Sequence, residues 1–191
     1  MNKITHYTST AKWFHWVSAM LVFFQLSSGI WMTQAIQNIT LRSSAWKMYQ
    51  NHKSIGIILL LLTIIRIIWR IKNPPPDHKK WLQDWEAKAA NIAHQALYTL
   101  LLLTPLLGWI MVSSSPLKIP TILLNWLDWP HIPIPKKIDS LSIYQWSKTT
   151  HQISGIVLGV IVSIHISAAL KHHFYDKNGI LKSMTTNRIP Q

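Results

Sequence analysis

The sequence predicts an all-α, integral membrane, antiparallel four-helix bundle. Three observations predict it. Four apolar runs are each long enough to cross a bilayer, which needs about 20 residues of helix. Charged residues are only 13% of the 191-residue chain, about half the proportion usual in a soluble domain. Eleven Trp suit a chain with many residues at membrane–water interfaces, where tryptophan concentrates. The net charge of +13 would fit nucleic acid if it formed a compact basic face. The bases instead lie between and beyond the apolar runs, so a membrane-side role is expected and no nucleic-acid partner.

The first run covers about 13–32, inside a stretch free of charged residues from 13 to 41. The preceding segment is polar and no small-residue cleavage site follows, so the run is expected to be a retained span and not a signal peptide. The second span covers about 52–71. Its charge-free core, 54–65, is short and is followed by Arg66 and Arg70. The third covers about 90–113 and the fourth about 148–170. Four such helices make one membrane domain over 1–191. Pro74-Pro75-Pro76 stops the second helix, because proline lacks the N–H that would continue it. Between spans three and four lies a long loop, 114–146. Within it, Ile122-Leu123-Leu124-Asn125-Trp126-Leu127-Asp128-Trp129 reads as a segment lying along the outer interface.

Orientation follows from Lys and Arg, which favour the cytoplasmic side. One side holds Lys3, Lys12, Arg66, Arg70, Lys72, Lys79, Lys80, Lys88, Lys171, Lys177, Lys182 and Arg188. The other holds Arg42, Lys47, Lys53, Lys118, Lys136, Lys137 and Lys148. Twelve against seven predicts both termini in the cytoplasm and a multi-pass protein of the bacterial inner membrane.

There is no cysteine. This excludes disulfides, zinc–thiolate sites, iron–sulfur clusters, thiol nucleophiles and covalently attached haem, which needs C-x-x-C-H. The chemistry therefore rests on histidine. Of ten His, His15, His94, His151 and His165 fall inside spans and His52 begins the second. Ionisable groups in a membrane are costly and usually functional. His151 and His165, 14 residues apart, lie about 21 Å apart along a helix and differ in direction by about 40°. One helix thus presents two imidazoles on nearly one face, one near each membrane surface. This suits two haems stacked through a bundle, each held by one His of this helix and one of a neighbour. A single metal ion on one helix would use i, i+3 or i, i+4 pairs. By depth, the outer haem takes His52 and His151, and the inner takes His165 with either His15 or His94. His172 and His173 are expected to be solvated at the inner surface. His6, His78 and His131 fall in tails or loops.

The same interval of 14 places Gly29 after His15, Gly108 after His94 and Arg66 after His52. Gly56 follows His52 by one turn, and Gly155 and Gly159 follow His151. Glycine lets a flat macrocycle approach the backbone; packing of helices through small residues is the alternative use. Arg66 needs an anion, since no Asp or Glu lies in any span. A haem propionate would serve, or Arg66 would snorkel to inner-leaflet phosphates. Lys148, three residues before His151, could lie near an outer propionate.

With these residues placed, the sequence resembles the bacterial cytochrome b561 family. The matching pieces are Trp13-Phe14-His15-Trp16, His52-Lys53-Ser54-Ile55-Gly56, Arg66-Ile67-Ile68-Trp69-Arg70 with Asn73-Pro74-Pro75-Pro76, and His94-Gln95-Ala96-Leu97-Tyr98. They continue with Pro105-Leu106-Leu107-Gly108-Trp109, His151-Gln152-Ile153-Ser154-Gly155, and the segment from His165 through Ala168, Leu170 and Lys171 to Phe174. The likeness spans about 8–184 and is weakest over the long loop. It implies two non-covalent b-type haems with bis-His ligation, His15 and His165 on the inner and His52 and His151 on the outer. One branch of that family is a superoxide oxidase that delivers electrons to ubiquinone. Related subunits anchor dehydrogenases and hydrogenases to the membrane.

The expected function is a dihaem membrane cytochrome carrying electrons to or from quinone, because two His per iron leave no position for oxygen. If the chain is itself an enzyme, the expected reaction oxidises superoxide and reduces ubiquinone, with the outer bases raising the local anion concentration. The alternative is a membrane-anchoring cytochrome subunit with a redox partner protein. A cation transporter would need carboxylates in its spans, and a soluble bundle would need a polar outer face on each helix.

Overall fold

A computed structural model of the chain describes residues 7–76, 81–135 and 137–185. Lys3, His6, His78, Lys79, Lys80, Lys136 and Arg188 lie outside the described residues. Four long helices dominate: α1 (Ser9–Ala35), α2 (Arg42–Lys72), α3 (Asp84–Ser114) and α4 (Ser140–Phe174), with a short α5 (Ile180–Thr185) at the end. The four long helices are each long and apolar enough to cross a membrane.

Local chemistry sets their ends. Thr8 caps α1, its hydroxyl accepting from the Ala11 N–H at 3.2 Å. Gln83 and Glu86 form a reciprocal capping box at the start of α3, which satisfies two of the backbone donors a helix start leaves free. Asp139 caps α4 through its carboxylate and the Leu141 N–H at 3.0 Å. The helices overrun the apolar spans. α2 begins at Arg42, well before His52, and α4 begins at Ser140, inside the expected loop. Hydropathy reports only the part of a helix that meets lipid, whereas capping sets where the helix begins.

The connection between α3 and α4 is a small antiparallel hairpin, β1 (Thr121–Leu123) and β2 (Leu127–Trp129). Leu124 and Asn125 turn it with φ of 51° and 65°, the left-handed conformation that tight hairpin turns require. The hairpin is seated on α2. Ser54 accepts from the Leu124 N–H at 3.0 Å, and Lys53 and Gln50 both donate to the Pro120 carbonyl, at 2.7 and 3.0 Å. Trp109 of α3 donates to the Pro130 carbonyl at 2.9 Å. Thr121 and Leu123 are buried, while Trp126 at the tip is exposed.

Consecutive helices are neighbours, α1 on α2, α2 on α3 and α3 on α4. The centre of the bundle is Val22, Leu59, Leu101 and Leu158, one residue from each helix. Outward faces carry exposed Phe23, Ile30, Ile156 and Ile164. That fits lipid contact and not water. Buried hydroxyls on the helices bond back to their own backbone, as Ser18 does to Phe14 at 2.6 Å and Thr63 to Leu59 at 2.7 Å. These hydroxyl hydrogens are thereby kept from facing hydrocarbon.

The end of the bundle that holds α5 and the start of α1, called inner after the expected orientation (the hairpin end being called outer), is tied by polar contacts. Lys171 Nζ lies 2.7 Å from Glu86 and 3.0 Å from Asp176. Trp16 donates to the Met184 carbonyl at 3.0 Å, drawing α5 beneath α1. His172 departs from its expected solvated place: it is buried, with Nδ1 2.6 Å from Asp176. Because α4 continues to Phe174 and the chain folds back through α5, this turn is covered. His173 Nδ1 is buried as well, without a hydrogen-bond partner.

Hydrogen bonds from Lys171 hold the Glu86 and Asp176 carboxyls below the usual carboxylate range. A lowered folded-state value means stability present above the ordinary carboxyl pKa and lost as pH falls through the lowered one. Thermal melts in detergent should therefore show stability falling as pH drops below about 4, and Lys171→Met should flatten that part of the curve.

Candidate functional site

The two ends of the bundle each gather histidines. At the outer end, His52 of α2 and His151 of α4 face one another with ring centres 6.2 Å apart and planes at 82°. At the inner end, His15 of α1 and His165 of α4 stand 6.3 Å apart at 57°. His94 of α3 joins the inner group, its ring centre 5.5 Å from that of His165. The inner layer therefore holds three imidazoles and the outer layer two.

Each layer has a distinct surrounding. Ser28 Oγ lies 3.0 Å from His52 Nδ1, and His151 Nδ1 donates to the Thr104 carbonyl at 2.8 Å. Gln25 Nε2 donates to the His52 carbonyl at 3.1 Å. Pro105 lies inside α3, and the turn around it holds both Thr104 and Gly108. In the inner layer, Arg66 Nη2 lies 3.1 Å from His15 Nδ1, and its guanidinium sits 5.3 Å above the Tyr98 ring. Arg70 lies over the same ring at 5.6 Å. The described part of Arg66's environment is thus an imidazole and a phenol. Lys148 is exposed.

The glycines singled out in the sequence differ in what they admit. A Cβ at Gly108 would stand 3.1 Å from His151 Cε1, tighter than nearly all real contacts. At Gly29 it would meet His52 Cε1 at 3.5 Å, an ordinary contact. At Gly56 it would meet Gln25 Nε2 at 3.0 Å, and at Gly155 nothing within 4 Å. So Gly108 and Gly29 both adjoin the outer imidazoles, and Gly56 makes room for the Gln25 side chain.

Sequence reading did not single out Ser28, Gln25, Thr104 or Tyr98. Ser28 and Gln25 lie on α1 within a turn of Gly29, and Tyr98 is one turn after His94. The usable signal was a polar residue inside an otherwise apolar span. Thr104 acts through its backbone carbonyl, for which side-chain identity carries no signal.

Among the described residues the donor set of these layers is imidazole throughout, with no thiolate and no carboxylate. Among the described residues the one compact group of three metal-ligand types is Glu86, His172 and Asp176 at the inner end, where Lys171 already supplies the cation. Replacement of Gly108 by Ala should displace His151 from the Thr104 carbonyl. Overpacking of this kind costs about 1–3 kcal/mol. Melting in detergent should show a larger loss for Gly108→Ala than for Gly29→Ala; equal losses would contradict the close approach at Gly108.

Comparison with known proteins identifies the family. The sequence profile of the family described as prokaryotic cytochrome b561 matches residues 6–187. Cytochrome b561 homolog 2 of Escherichia coli (strain K12) is 33% identical over 174 residues, covering 90% of this chain and 86% of that protein. Cytochrome b561 homolog 1 of the same organism is 23% identical over 188 residues, 97% of this chain and 99% of that protein. A probable superoxide oxidase CybB of Yersinia pestis is 24% identical over 180 residues, 91% of this chain and 93% of that protein. With the family matched over nearly the whole chain and four membrane-capable helices present, this protein belongs to the prokaryotic cytochrome b561 family of haem b membrane cytochromes.

Proposed function

We propose that this chain is a dihaem electron carrier of the bacterial inner membrane, with both termini cytoplasmic, passing electrons to or from quinone. The observation that carries the reading is the pair of facing imidazoles in each of two layers, 6.2 and 6.3 Å between ring centres. Two metal–imidazole bonds of about 2 Å, with the reach of each ring from nitrogen to centre, span about 6 Å. The 5.5 Å between His94 and His165 is shorter than that span, which supports His15 as the partner of His165. Gln25 Oε1 and Thr104 Oγ1, in residues that bond the outer pair, are buried without a partner. Such orphaned polar atoms fit a site that receives a further group.

In this reading His52 and His151 hold one haem and His15 and His165 the other. When bound, haem supplies one-electron redox chemistry, and two imidazoles per iron favour electron transfer over oxygen activation. Ser28 and the Thr104 carbonyl occupy Nδ1 of the outer imidazoles, which orients Nε2 toward the opposite ring. Arg66 is placed to pair with a propionate of the inner haem. Gly29, Gly56, Gly108 and Gly155 keep the helix faces low where a flat group needs room. Val22, Leu59, Leu101 and Leu158 fill the space between layers and exclude water.

A groove of about 480 Å³ between α2 and α3, lined by Ile67, Arg70, Gln95, Tyr98 and Leu102 among others, supports quinone as the membrane substrate. It offers apolar wall for a tail and three polar groups for a carbonyl-bearing head.

A reduced-minus-oxidised spectrum with haem quantified per chain tests the cofactor reading. Two low-spin b haems are expected, and His52→Ala or His151→Ala should each remove one of them. Folded protein without haem would overturn the reading.

Superoxide is the narrower proposal for the electron donor. It is supported by the similarity to the Yersinia pestis probable superoxide oxidase and by the outer bases Lys53, Lys118, Lys137 and Lys148, which attract small anions. Two superoxide ions would yield two oxygen molecules and two electrons, and one ubiquinone would take those electrons with two protons. Rapid mixing of superoxide with quinone-loaded protein should reduce haem and form quinol; neither product appearing would exclude superoxide as donor.

A further inference from the structure

The two histidine layers resemble each other in spacing and differ in charge. Arg66 lies 3.1 Å from His15 Nδ1, in the layer that His165 shares, whereas the neighbours of Nδ1 on His52 and His151 are the uncharged Ser28 hydroxyl and Thr104 carbonyl. Lys53, beside His52 in sequence, directs its ammonium to the Pro120 carbonyl at 2.7 Å. Arg70 lies over the same Tyr98 ring, no Asp or Glu lies within the spans to offset either, and propionates, which both haems would carry, do not distinguish the layers.

Hydrogen bonding differs in the same sense. At the outer layer the Nδ1 atoms of both imidazoles meet oxygen, Ser28 Oγ and the Thr104 carbonyl. An acceptor on Nδ1–H raises the basicity of the ring as a ligand, which favours ferric iron. At the inner layer His15 Nδ1 meets a guanidinium, which can only donate. A neutral His15 receiving that bond keeps its own proton on Nε2. Ligation through Nε2 sends the proton to Nδ1, and Arg66 must then turn to another acceptor. Its charge stays in the layer, because the Tyr98 phenol and ring hold it there. Reduction of a ferric haem adds one negative charge, so a fixed cation in a low-dielectric interior favours the ferrous form.

We infer that Arg66 makes the inner haem position the more easily reduced, while Ser28 and Thr104 make the outer position the less easily reduced. An electron entering from the outer side therefore runs downhill to the inner side. With haem bound in both layers, the transfer would be of one electron from the outer position to the inner, with no bond formed or broken. This rests on the dihaem reading above and adds a direction to it.

Potentiometric titration of the detergent-purified holoprotein, followed in the haem absorption bands with haem counted per chain, tests the inference. Wild type should titrate as two components. Arg66→Met should lower the higher-potential component alone, Arg66→Lys should restore most of that shift, and Ser28→Ala should raise the lower-potential component alone. A single component, an Arg66→Met shift confined to the lower component, or potentials unmoved by both substitutions would overturn the inference while leaving two haems per chain. Should Arg66→Met fail to retain haem, Arg66→Gln, which also removes the charge, and Ser28→Ala make the same assignment. Protein with no haem would instead sink the proposed function.

Discussion

Seven residues separate each functional layer from the next in all four helices at once, and the rest of the structure depends on that shared register. His15, Val22 and Gly29 follow one another on α1, and His52, Leu59 and Arg66 on α2. His94, Leu101 and Gly108 follow on α3, and His151, Leu158 and His165 on α4. Seven residues bring an α-helix back to within about 20° of its starting direction and advance it about 10 Å. Each helix therefore turns the same stripe toward the bundle axis. Because neighbouring helices run in opposite directions, the histidines meet at two depths with an aliphatic layer between them.

The bilayer explains why these residues meet. A polar side chain facing lipid has neither water nor an acceptor, so it is driven to the interior, where its partner is another such residue. Each histidine pair is supported by a small set of neighbours: Ser28 and the Thr104 carbonyl outside, Arg66 inside. The supports are local to each layer, although the helices are continuous. Gly108 and Pro105 act together here, the first admitting the His151 ring to the backbone and the second lying in the turn whose Thr104 carbonyl receives it.

The ends of the bundle are built from different material. Outside, a hairpin rests on α2 through Ser54, Lys53 and Gln50. Inside, α5 and the Lys171–Glu86–Asp176 contacts draw α1, α3 and α4 together. Neither closure uses the histidines of the two layers, which leaves the layers free to be tuned by their own neighbours.

The four helices were legible because the hydrocarbon core imposes a length and a composition that hydropathy reads directly, and the 14-residue interval on α4 already put two imidazoles on one face. Outside the lipid that logic lapses. The early starts of α2 and α4, the hairpin, and the burial of His172 follow from caps, turns and chain return, which leave little trace in composition. The pairing of His15 or His94 with His165 was open in depth alone, since both lie at one level; their ring centres stand 6.3 and 5.5 Å from that of His165. Sequence by itself determined which residues must be inside, because the cost of a polar group in lipid is a property of the residue. Tertiary structure decided which of them touch, that Arg66 attends only the inner pair and Ser28 only the outer, because those contacts depend on how four helices rotate against one another, and each of them is a choice between neighbours of equal depth.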